Sequence, residues 1–365
     1  MSSAINQRVA QAKELLAGGG AQKPAEMPWN PNSTKFPSRK ELPFIPGAPE
    51  GAAWVWGKDD YIGRLNLITP QRVKAASSEI KTGEIVPLDL PLNVPEQPGF
   101  NREKFVHTIK TLAEGVAYDD KYELNTQSGT QWDGFRHFAH IPTNTFYNGT
   151  KASDITGPTS NHKCSIHHWS AHGIAARGIL LDYRTYAKTN SIPFDPYTSD
   201  SISLSDLRKC AESQGLDIRP ESEGGDIKVG DILFIRSGFV DSYYNEKTPE
   251  ERTALALRPH TVGPEDKQCW GGVAQEEDMI DWLHDSYFAA VVGDAPSFER
   301  WPSPEGYYLH EYILALWGMP LGEMWDLERL AAKCREMGRW TFFLTSAPAN
   351  VPAGVSSHAN ATAIF

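Results

Sequence analysis

Cysteine, long apolar runs and clustered positive charge are all scarce in this sequence of 365 residues. Its four cysteines are far apart and form no Cys-x-x-Cys pair, which argues against a zinc ribbon and a dense disulfide framework. No apolar run approaches the roughly 20 residues that cross a bilayer, so we expect no membrane partner. The net charge of -11 and the shortness of basic stretches such as residues 102–104 argue against nucleic-acid binding.

The amino-terminal part differs in composition from the rest of the chain. Residues 1–16 have the pattern of a polar helix and lack the apolar centre of a secretory signal, which predicts a cytoplasmic protein. A glycine triplet and a proline-rich stretch follow, so we interpret residues 1–53 as an extended arm that lies against a neighbour or a partner subunit. Residues 54–365 show no linker and are predicted to form one domain.

Alternating apolar and helical patterns after residue 54 indicate an α/β domain. Residues 173–183 and 229–239 are continuously apolar, as in strands buried on both faces. Residues 204–215 lie between them and combine a polar cap, helical spacing and a glycine end. Further helices are predicted at 70–82, 276–284, 309–317 and 326–337, and further strands at 84–94, 105–110, 115–118, 289–293 and 340–346.

Residues 127–137 hold the densest group of polar and ionisable side chains in the sequence. If this segment is extended, its alternate residues face one side, which places Gln127, Gln131 and Asp133 together. Gly129 leaves room on that face for a ligand or another backbone. A turn after Asp133 would return His137 to the same pocket. The sequence therefore predicts a polar functional site here.

This segment resembles the signature of the cyclase family, which includes kynurenine formamidase and isatin hydrolase. The signature is His-x-Gly-Thr-His-x-Asp-x-Pro-x-His, in which the first two histidines and the aspartate bind a divalent metal. The chain keeps Gly129, Thr130, Asp133 and His137 in register, and it replaces the other three positions with Gln127, Gln131 and Phe135. The chain is thus similar to a family member that lacks both leading histidines.

Other segments resemble the family in the family's order and extend the likeness over residues 54–365. They are WGKDDYIGRLNLITP, RGILLDY, GDILFIRSGF, GDAPSFE and SSHANATAIF. The resemblance implies a cyclase-family catalytic domain with an α/β fold of the swivelling β/β/α type, in which helices flank a mixed, partly barrel-like sheet. It also implies a homodimer or homotetramer.

The resemblance implies a metal site completed by residues far along the chain. Its members would be Asp133, His310 and Glu323, with Gln127 and Gln131 nearby. Glu311 is an alternative to Glu323 for the carboxylate. Amide oxygens are poor ligands for zinc and better ligands for harder ions, so either a divalent metal (Mn²⁺ or Zn²⁺) or a metal-free pocket is consistent with the sequence. No organic cofactor is expected.

The resemblance implies a hydrolase that cleaves an amide, lactam or lactone bond of a small carbonyl compound, with aromatic ones favoured. His137 would act as acid and base beside Asp133, with a metal-activated water if an ion is bound. One alternative is a metal-independent lyase or cyclase in the same pocket, in which the two glutamines stabilise a developing oxyanion. Another alternative is a non-catalytic protein that binds a small molecule.

Five residues are predicted to contact the small-molecule substrate. Gln127 and Gln131 would do so through their amides. Trp132 and Trp270 would line an aromatic pocket, and His172 lies in a family-like segment from which it could reach the site.

Overall fold

The computed structural model describes residues 27–365, so the polar helix predicted at 1–16 lies outside the described residues. Strands and helices alternate along the described chain. The strands are β1 (Ile85–Pro87), β2 (Val106–Ala113), β3 (Ala117–Glu123), β4 (Gln131–Asp133), β5 (Ile174–Leu181), β6 (Ser201–Ile202), β7 (Ile232–Ile235), β8 (Gly272–Val273), β9 (Ala290–Gly293), β10 (Leu321–Glu323), β11 (Thr341–Ser346), β12 (Ser356–Ser357) and β13 (Ala361–Ile364).

The helices lie mostly between these strands in the sequence. The α-helices are α1 (Pro70–Ala76), α2 (Ala152–Ile155), α3 (His167–His172), α4 (Tyr183–Thr189), α5 (Leu204–Ser213), α6 (Phe239–Asn245), α7 (Pro249–Ala256), α8 (Glu277–Asp285) and α9 (Glu328–Met337). A π-helix covers Glu311–Leu316. Short 3-10 helices cover Arg39–Glu41, Gly63–Leu67, Ser77–Glu79, Ile141–Thr143, Tyr147–Gly149 and Glu221–Glu223.

Nine strands form one mixed sheet that curls into a half-barrel flanked by helices. Their order is β1-β13-β11-β5-β7-β9-β10-β4-β12. The neighbours from β5 to β10 run parallel, and the pairs toward both edges are antiparallel. This architecture confirms the predicted α/β class and the mixed, partly barrel-like sheet.

The central strands and the helix between them form for the reasons that the sequence indicates. All four residues of β7, Ile232–Ile235, are buried, because parallel neighbours hydrogen-bond the strand on both sides and side chains cover both faces. Helix α5 begins after Ser203, whose hydroxyl accepts a hydrogen bond from the Asp206 amide. The buried residues of α5 recur at helical spacing, so one face of the helix packs on the core.

Several predicted elements differ in the structure. The helix predicted at 70–82 is an α-helix only over Pro70–Ala76 and continues as a 3-10 helix over Ser77–Glu79. The strand predicted at 229–239 covers only Ile232–Ile235. The strand predicted at 84–94 is only Ile85–Pro87 long, because prolines at 87, 91 and 95 remove the amide donors that a ladder requires. The helix predicted at 309–317 is a π-helix, in which the amide of Trp317 donates to the carbonyl of Tyr312.

Strands β2 and β3 form a hairpin that projects from the domain. The hairpin confirms the two strands predicted at 105–110 and 115–118 and extends both. Almost every residue in it is exposed to solvent on both faces, including the apolar side chains of Val106, Ile109 and Tyr118. The hairpin joins two segments of the site described below, which end near Arg102 and begin near Gln127.

Residues 27–53 lie against the chain's own helices. The amide of Arg39 donates to Asp285 and its guanidinium to Asp281, both in α8, at 2.6 Å each. Tyr287 donates its hydroxyl to the carbonyl of Pro37. This segment is irregular apart from one short 3-10 helix, as its prolines predict. In residues 27–365, no helix combines the length and apolar character needed to span a membrane.

Candidate active site

Strand pairing brings the polar motif to the carboxyl end of the central sheet. Strand β4 lies antiparallel to β10, with Gln131 opposite Glu323 and Asp133 opposite Leu321. On its other side β4 pairs with β12, where Ser356 lies opposite Asp133. Because side chains alternate along a strand, Gln131 and Asp133 project to one face, and Glu323 joins them there as the cross-strand neighbour of Gln131.

Asp133, His310 and Glu323 meet in the interior of the protein. Their relative exposures are 0%, 5% and 1%. The Nε2 atom of His310 lies 3.2 Å from Oε1 of Glu323 and 3.7 Å from Oδ2 of Asp133. One candidate ligand atom from each residue lies within 4.8 Å of the others, so these three residues form a possible metal site.

The two glutamines that replace the family's histidines bind the carboxylates of this group. The amide nitrogen of Gln127 donates to Oδ1 of Asp133 at 2.6 Å and to the Ser356 hydroxyl at 2.7 Å. The amide nitrogen of Gln131 donates to Oε2 of Glu323 at 2.9 Å. Each glutamine therefore provides a hydrogen-bond donor to one oxygen of a buried carboxylate, which stabilises its negative charge.

Glu299 is a functional-site residue that the sequence reasoning missed. Its Oε1 atom accepts hydrogen bonds from Nδ1 of His310 at 2.6 Å and from the His310 amide at 2.9 Å. Its Oε2 atom accepts from the Leu309 amide and from the side chain of Gln275, at 2.7 and 2.6 Å. Glu299 thus fixes the orientation of the His310 ring. The family-like segment GDAPSFE, which ends at Glu299, was the only sequence signal for it.

Glu311, the alternative to Glu323, occupies a structural position. Its carboxylate accepts hydrogen bonds from the amides of Tyr308 and Ile141, at 3.0 and 2.8 Å. It therefore ties the start of the π-helix to the neighbouring loop and does not belong to the group formed by Asp133, His310 and Glu323.

Burial and close carboxylates shift the proton affinities of this group. Burial first, and then repulsion from Glu323, raise the pKa of Asp133 to about 7. Burial alone would lower the pKa of His310, but hydrogen bonds to Glu299 and Glu323 outweigh it and hold the pKa well above its ordinary value. The histidine is therefore the internal counter-charge to the surrounding carboxylates.

A cavity of about 370 Å³ opens beside the buried group. His310 and Glu323 form part of its wall, and the aromatic rings of Phe100, Phe138 and Trp301 form another part. This volume is in the range of small-molecule sites, and the combination of aromatic surface with a few polar groups is typical of them.

His137, the predicted acid and base, lines this cavity. It follows β4 in a turn, and its amide donates to the carbonyl of Gly134. Burial first, and then the positive charges of Arg102 and His310, hold the pKa of His137 well below its ordinary value. The ring is therefore neutral near pH 7 and can accept a proton.

Arg102 also lines the cavity and was missed as a site residue. The sequence reasoning considered it only as part of a short basic stretch. Its guanidinium donates to the backbone carbonyl of Gln127 at 2.6 Å, which fixes it next to the motif. It supplies a permanent positive charge beside the cavity.

None of the five predicted substrate contacts lines the cavity. Gln127 and Gln131 are buried, and their amides bind Asp133 and Glu323. The other three lie elsewhere. Trp132 is fully buried on the opposite face of β4, where it contacts Trp169 and Trp325. Trp270 is buried behind the cavity wall among other aromatic side chains. His172 is exposed at the end of α3, and its ring contacts the carbonyl of Gly173. The structure thus corrects the pocket lining, because Phe100, Phe138 and Trp301 supply the aromatic surface that the tryptophans at 132 and 270 were expected to form.

The buried polar atoms of the site fit a divalent cation. Oδ2 of Asp133 and the amide oxygens of Gln127 and Gln131 are buried and have no hydrogen-bond partner among residues 27–365. Together with Glu323 and His310, they give a donor set with several oxygens and one nitrogen. Such a set suits a hard or borderline ion such as Mn²⁺ better than it suits zinc.

Comparison with protein families gives one match. The model of the Cyclase family matches residues 86–300, a stretch that contains Gln127, Gln131, Asp133 and Glu299. His310 and Glu323 follow that stretch. A search of curated proteins found no match.

Several solved structures resemble the chain. A protein described as a novel cyclase is 27% identical, with a TM-score of 0.71 over 86% of this chain and 99% of its own. An isatin hydrolase bound to the product analogue thioisatinate is 15% identical, with a TM-score of 0.50 over 80% of this chain and 95% of its own. Isatin hydrolase A from Ralstonia solanacearum is 14% identical, with a TM-score of 0.50 over 81% of this chain and 98% of its own. At such identities the two hydrolases share the fold with this chain.

Proposed function

We propose a function from the premise that this chain belongs to the Cyclase family. It is a hydrolase that cleaves an amide, lactam or lactone bond in a small aromatic carbonyl compound. The observation that carries this proposal is the buried group of Asp133, His310 and Glu323. Two of its members, His310 and Glu323, line an aromatic cavity that is also lined by His137.

The cavity provides a place for the aromatic part of such a substrate. The rings of Phe138 and His310 are 5.3 Å apart, so an aromatic wall adjoins the polar group directly. Trp301 stacks on Tyr308 at 4.9 Å, which holds its ring in place as part of the wall. A flat substrate between Phe100, Phe138 and Trp301 would present its carbonyl group toward Glu323 and His310.

His137 and Arg102 are placed to serve the reaction at that carbonyl. His137 accepts a proton from the attacking water and returns it to the leaving group, for which its neutral form is required. Arg102 offers positive charge to the oxygen on which negative charge develops. Removing water from around these groups strengthens both effects.

Asp133, His310 and Glu323, with the amide oxygens of Gln127 and Gln131, would hold a divalent metal, with Mn²⁺ preferred to Zn²⁺. When bound, such an ion supplies Lewis-acid polarisation of the carbonyl and lowers the pKa of a bound water. Glu299 then orients His310 through Nδ1, which leaves Nε2 directed at the other members of the group.

The test combines metal content with turnover. Purified protein is assayed for bound metal, and then for hydrolysis of N-formyl aromatic amines, cyclic imides and aromatic lactones, with chelator and with added Mn²⁺ or Zn²⁺. Asp133→Asn should reduce kcat/KM by at least about 100-fold. Asp59→Asn, at an exposed position outside the cavity and the hairpin, is the matched control and should keep full activity. Equal activity of Asp133→Asn and the wild type would refute the site.

A second candidate, a metal-independent lyase or cyclase, rests on a different observation. The glutamine amides donate to Asp133 and Glu323, and the His310 side chain lies between carboxylates, so groups of the chain itself already stabilise part of the buried negative charge. Asp133, with a pKa raised to about 7, could then exchange protons with the substrate near neutral pH. Full turnover after metal removal, with dehydrated or ring-closed product, would favour this candidate over the hydrolase.

A non-catalytic binding protein is the remaining alternative. It predicts ligand affinity without turnover for every compound in the screen, and with every added metal. Against it, the site keeps six ionisable side chains that are buried or line the cavity: Arg102, Asp133, His137, Glu299, His310 and Glu323. Their desolvation has a free-energy cost that a purely apolar pocket would avoid.

We also propose that the protein is a cytoplasmic homodimer or homotetramer. The exposed hairpin supports self-association, because an isolated two-stranded ribbon is marginally stable in water and its apolar side chains lie uncovered in the single chain. Light scattering of the purified chain tests this proposal, and a monomer at micromolar concentration would contradict it.

A further inference from the structure

A third histidine, His260, lines the same cavity as His137 and His310 and takes no part in the proposed chemistry. Its Nδ1 atom lies 2.6 Å from Oδ2 of Asp266. The indole of Trp301 donates to that same oxygen at 2.8 Å, and the amide of Gln268 donates to Oδ1 at 2.9 Å. The side chain of Asp266 is fully buried. The carboxylate therefore has three N–H partners and is held in one orientation.

This arrangement determines which nitrogen of His260 faces a ligand. An ionised carboxylate only accepts hydrogen bonds, so Nδ1 must carry the proton that it shares with Asp266. In the neutral ring Nε2 is then an acceptor. No residue in the described part of the chain hydrogen-bonds Nε2, so the cavity contains a fixed acceptor that a ligand can use.

Aromatic rings surround this acceptor. The Phe100 ring lies 4.9 Å from the His260 ring, edge to face, and 5.4 Å from the Trp301 ring. Trp301 lies 6.4 Å from His260. A flat aromatic ligand fits between such surfaces, and its bond to Nε2 must come from a donor at the edge of its ring.

We infer that His260, oriented by Asp266, is a positioning residue that selects aromatic substrates with an N–H donor at the ring edge. The inference rests on the proposed hydrolase function and narrows its substrate class. Aromatic amides and fused lactams carry such an N–H, whereas the corresponding lactones have an oxygen in its place and would leave Nε2 without a partner. A buried acceptor that loses its donor disfavours the wrong ligand.

The test uses two rings of the same shape that differ in this one group. Indole has the N–H, benzofuran has an oxygen there, and neither can be hydrolysed. Calorimetric titration of each probe at one fixed pH measures the two affinities. We expect the wild type to bind indole about 3–10-fold more tightly than benzofuran, as one net hydrogen bond provides.

His260→Asn keeps a side-chain N–H for Asp266 and removes the Nε2 acceptor. It should reduce the preference for indole to less than about twofold. His172→Asn, at an exposed position outside the cavity, is the matched control and should keep the preference of the wild type. A second measurement needs no variant: the ¹⁵N resonance of His260 Nε2 should shift when indole binds and stay in place with benzofuran.

The inference is overturned if the wild type binds indole no more tightly than benzofuran, or if His260→Asn keeps the wild-type ratio. Because the probes undergo no reaction, the result is separate from the proposed function. Preference for indole without any hydrolysis would refute the hydrolase and leave His260 in its role. Hydrolysis of lactones together with equal binding of the probes would refute the role of His260 alone.

Discussion

Replacing Glu299 with glutamine should destabilise the protein strongly, although the change removes only a charge and one acceptor. The carboxylate of Glu299 accepts four N–H groups: two from His310, one from Leu309 and one from the side chain of Gln275. A glutamine presents an NH₂ group to two of these donors in either orientation of its amide. Two buried N–H groups then lack an acceptor, which costs about 1–3 kcal/mol each.

The expected loss is therefore about 2–6 kcal/mol of unfolding free energy, consistent with the cost of breaking a buried ion pair from one side. Urea denaturation measures it as a lower midpoint with an unchanged slope. Glu305→Gln, an exposed glutamate in the neighbouring loop, is the matched control and should stay within about 0.5 kcal/mol of the wild type. If Glu299→Gln also stays within that margin, Glu299 does not support His310 in the way described.

Three further predictions concern metal preference, backbone space and pH. Restoring histidine at both Gln127 and Gln131 should raise zinc binding at least about tenfold, measured as bound metal after dialysis against a zinc buffer. Gly63→Ala should lower the unfolding free energy, measured by urea denaturation, by at least about 2 kcal/mol more than Gly115→Ala does. Both glycines have positive φ, but an added Cβ would lie 1.9 Å from a backbone oxygen at Gly63 and in open space at Gly115. Burial, its largest cause, lowers the pKa of His284 to about 4. Above the unfolded pKa of about 6.5 this histidine is neutral in both states and does not oppose folding. As the pH falls from there to the folded pKa, the unfolded state binds the proton more readily, and the unfolding free energy drops by up to about 3 kcal/mol. A His284→Gln variant should lack this part of the acid destabilisation.

The sequence predicted the central sheet well because its strands are buried on both faces. Continuous apolar runs at 173–183 and 229–239 predict buried strands, and each run contains a strand of the parallel part of the sheet, Ile174–Leu181 and the shorter Ile232–Ile235. The strand predicted at 84–94 is too long, because its apolar residues favour a strand while its prolines lack the backbone N–H groups that strand pairing needs.

The grouping of Gln131 with Asp133 followed from side-chain alternation alone. The same alternation places Trp132 on the opposite face, and the structure has it there, in the core. Trp132 therefore does not share a face with Gln131 and Asp133, and the prediction that it lines the pocket is wrong. Odd-numbered residues of this strand face the site and the even-numbered Trp132 faces the core, which its aromatic character alone does not indicate.

Glu299, Arg102 and His260 could not be predicted because their roles depend on contacts between distant segments. Glu299 acts through His310, with which it shares a buried hydrogen bond that no local pattern encodes. Arg102 approaches the motif only because the hairpin that follows it returns the chain to Gln127. His260 becomes oriented through Asp266, which lies six residues away in an irregular loop.

The pairing of Gln131 with Glu323 across two strands has a consequence for the history of the family. The two residues lie directly opposite each other in the pairing of β4 with β10. The side-chain amide of Gln131 donates a hydrogen bond to one carboxylate oxygen of Glu323. A mutation at either position alone leaves a buried group without its partner. Related sequences with glutamine at 131 should therefore keep a hydrogen-bond acceptor at 323, and an alignment in which an apolar residue stands opposite this glutamine would contradict the coupling.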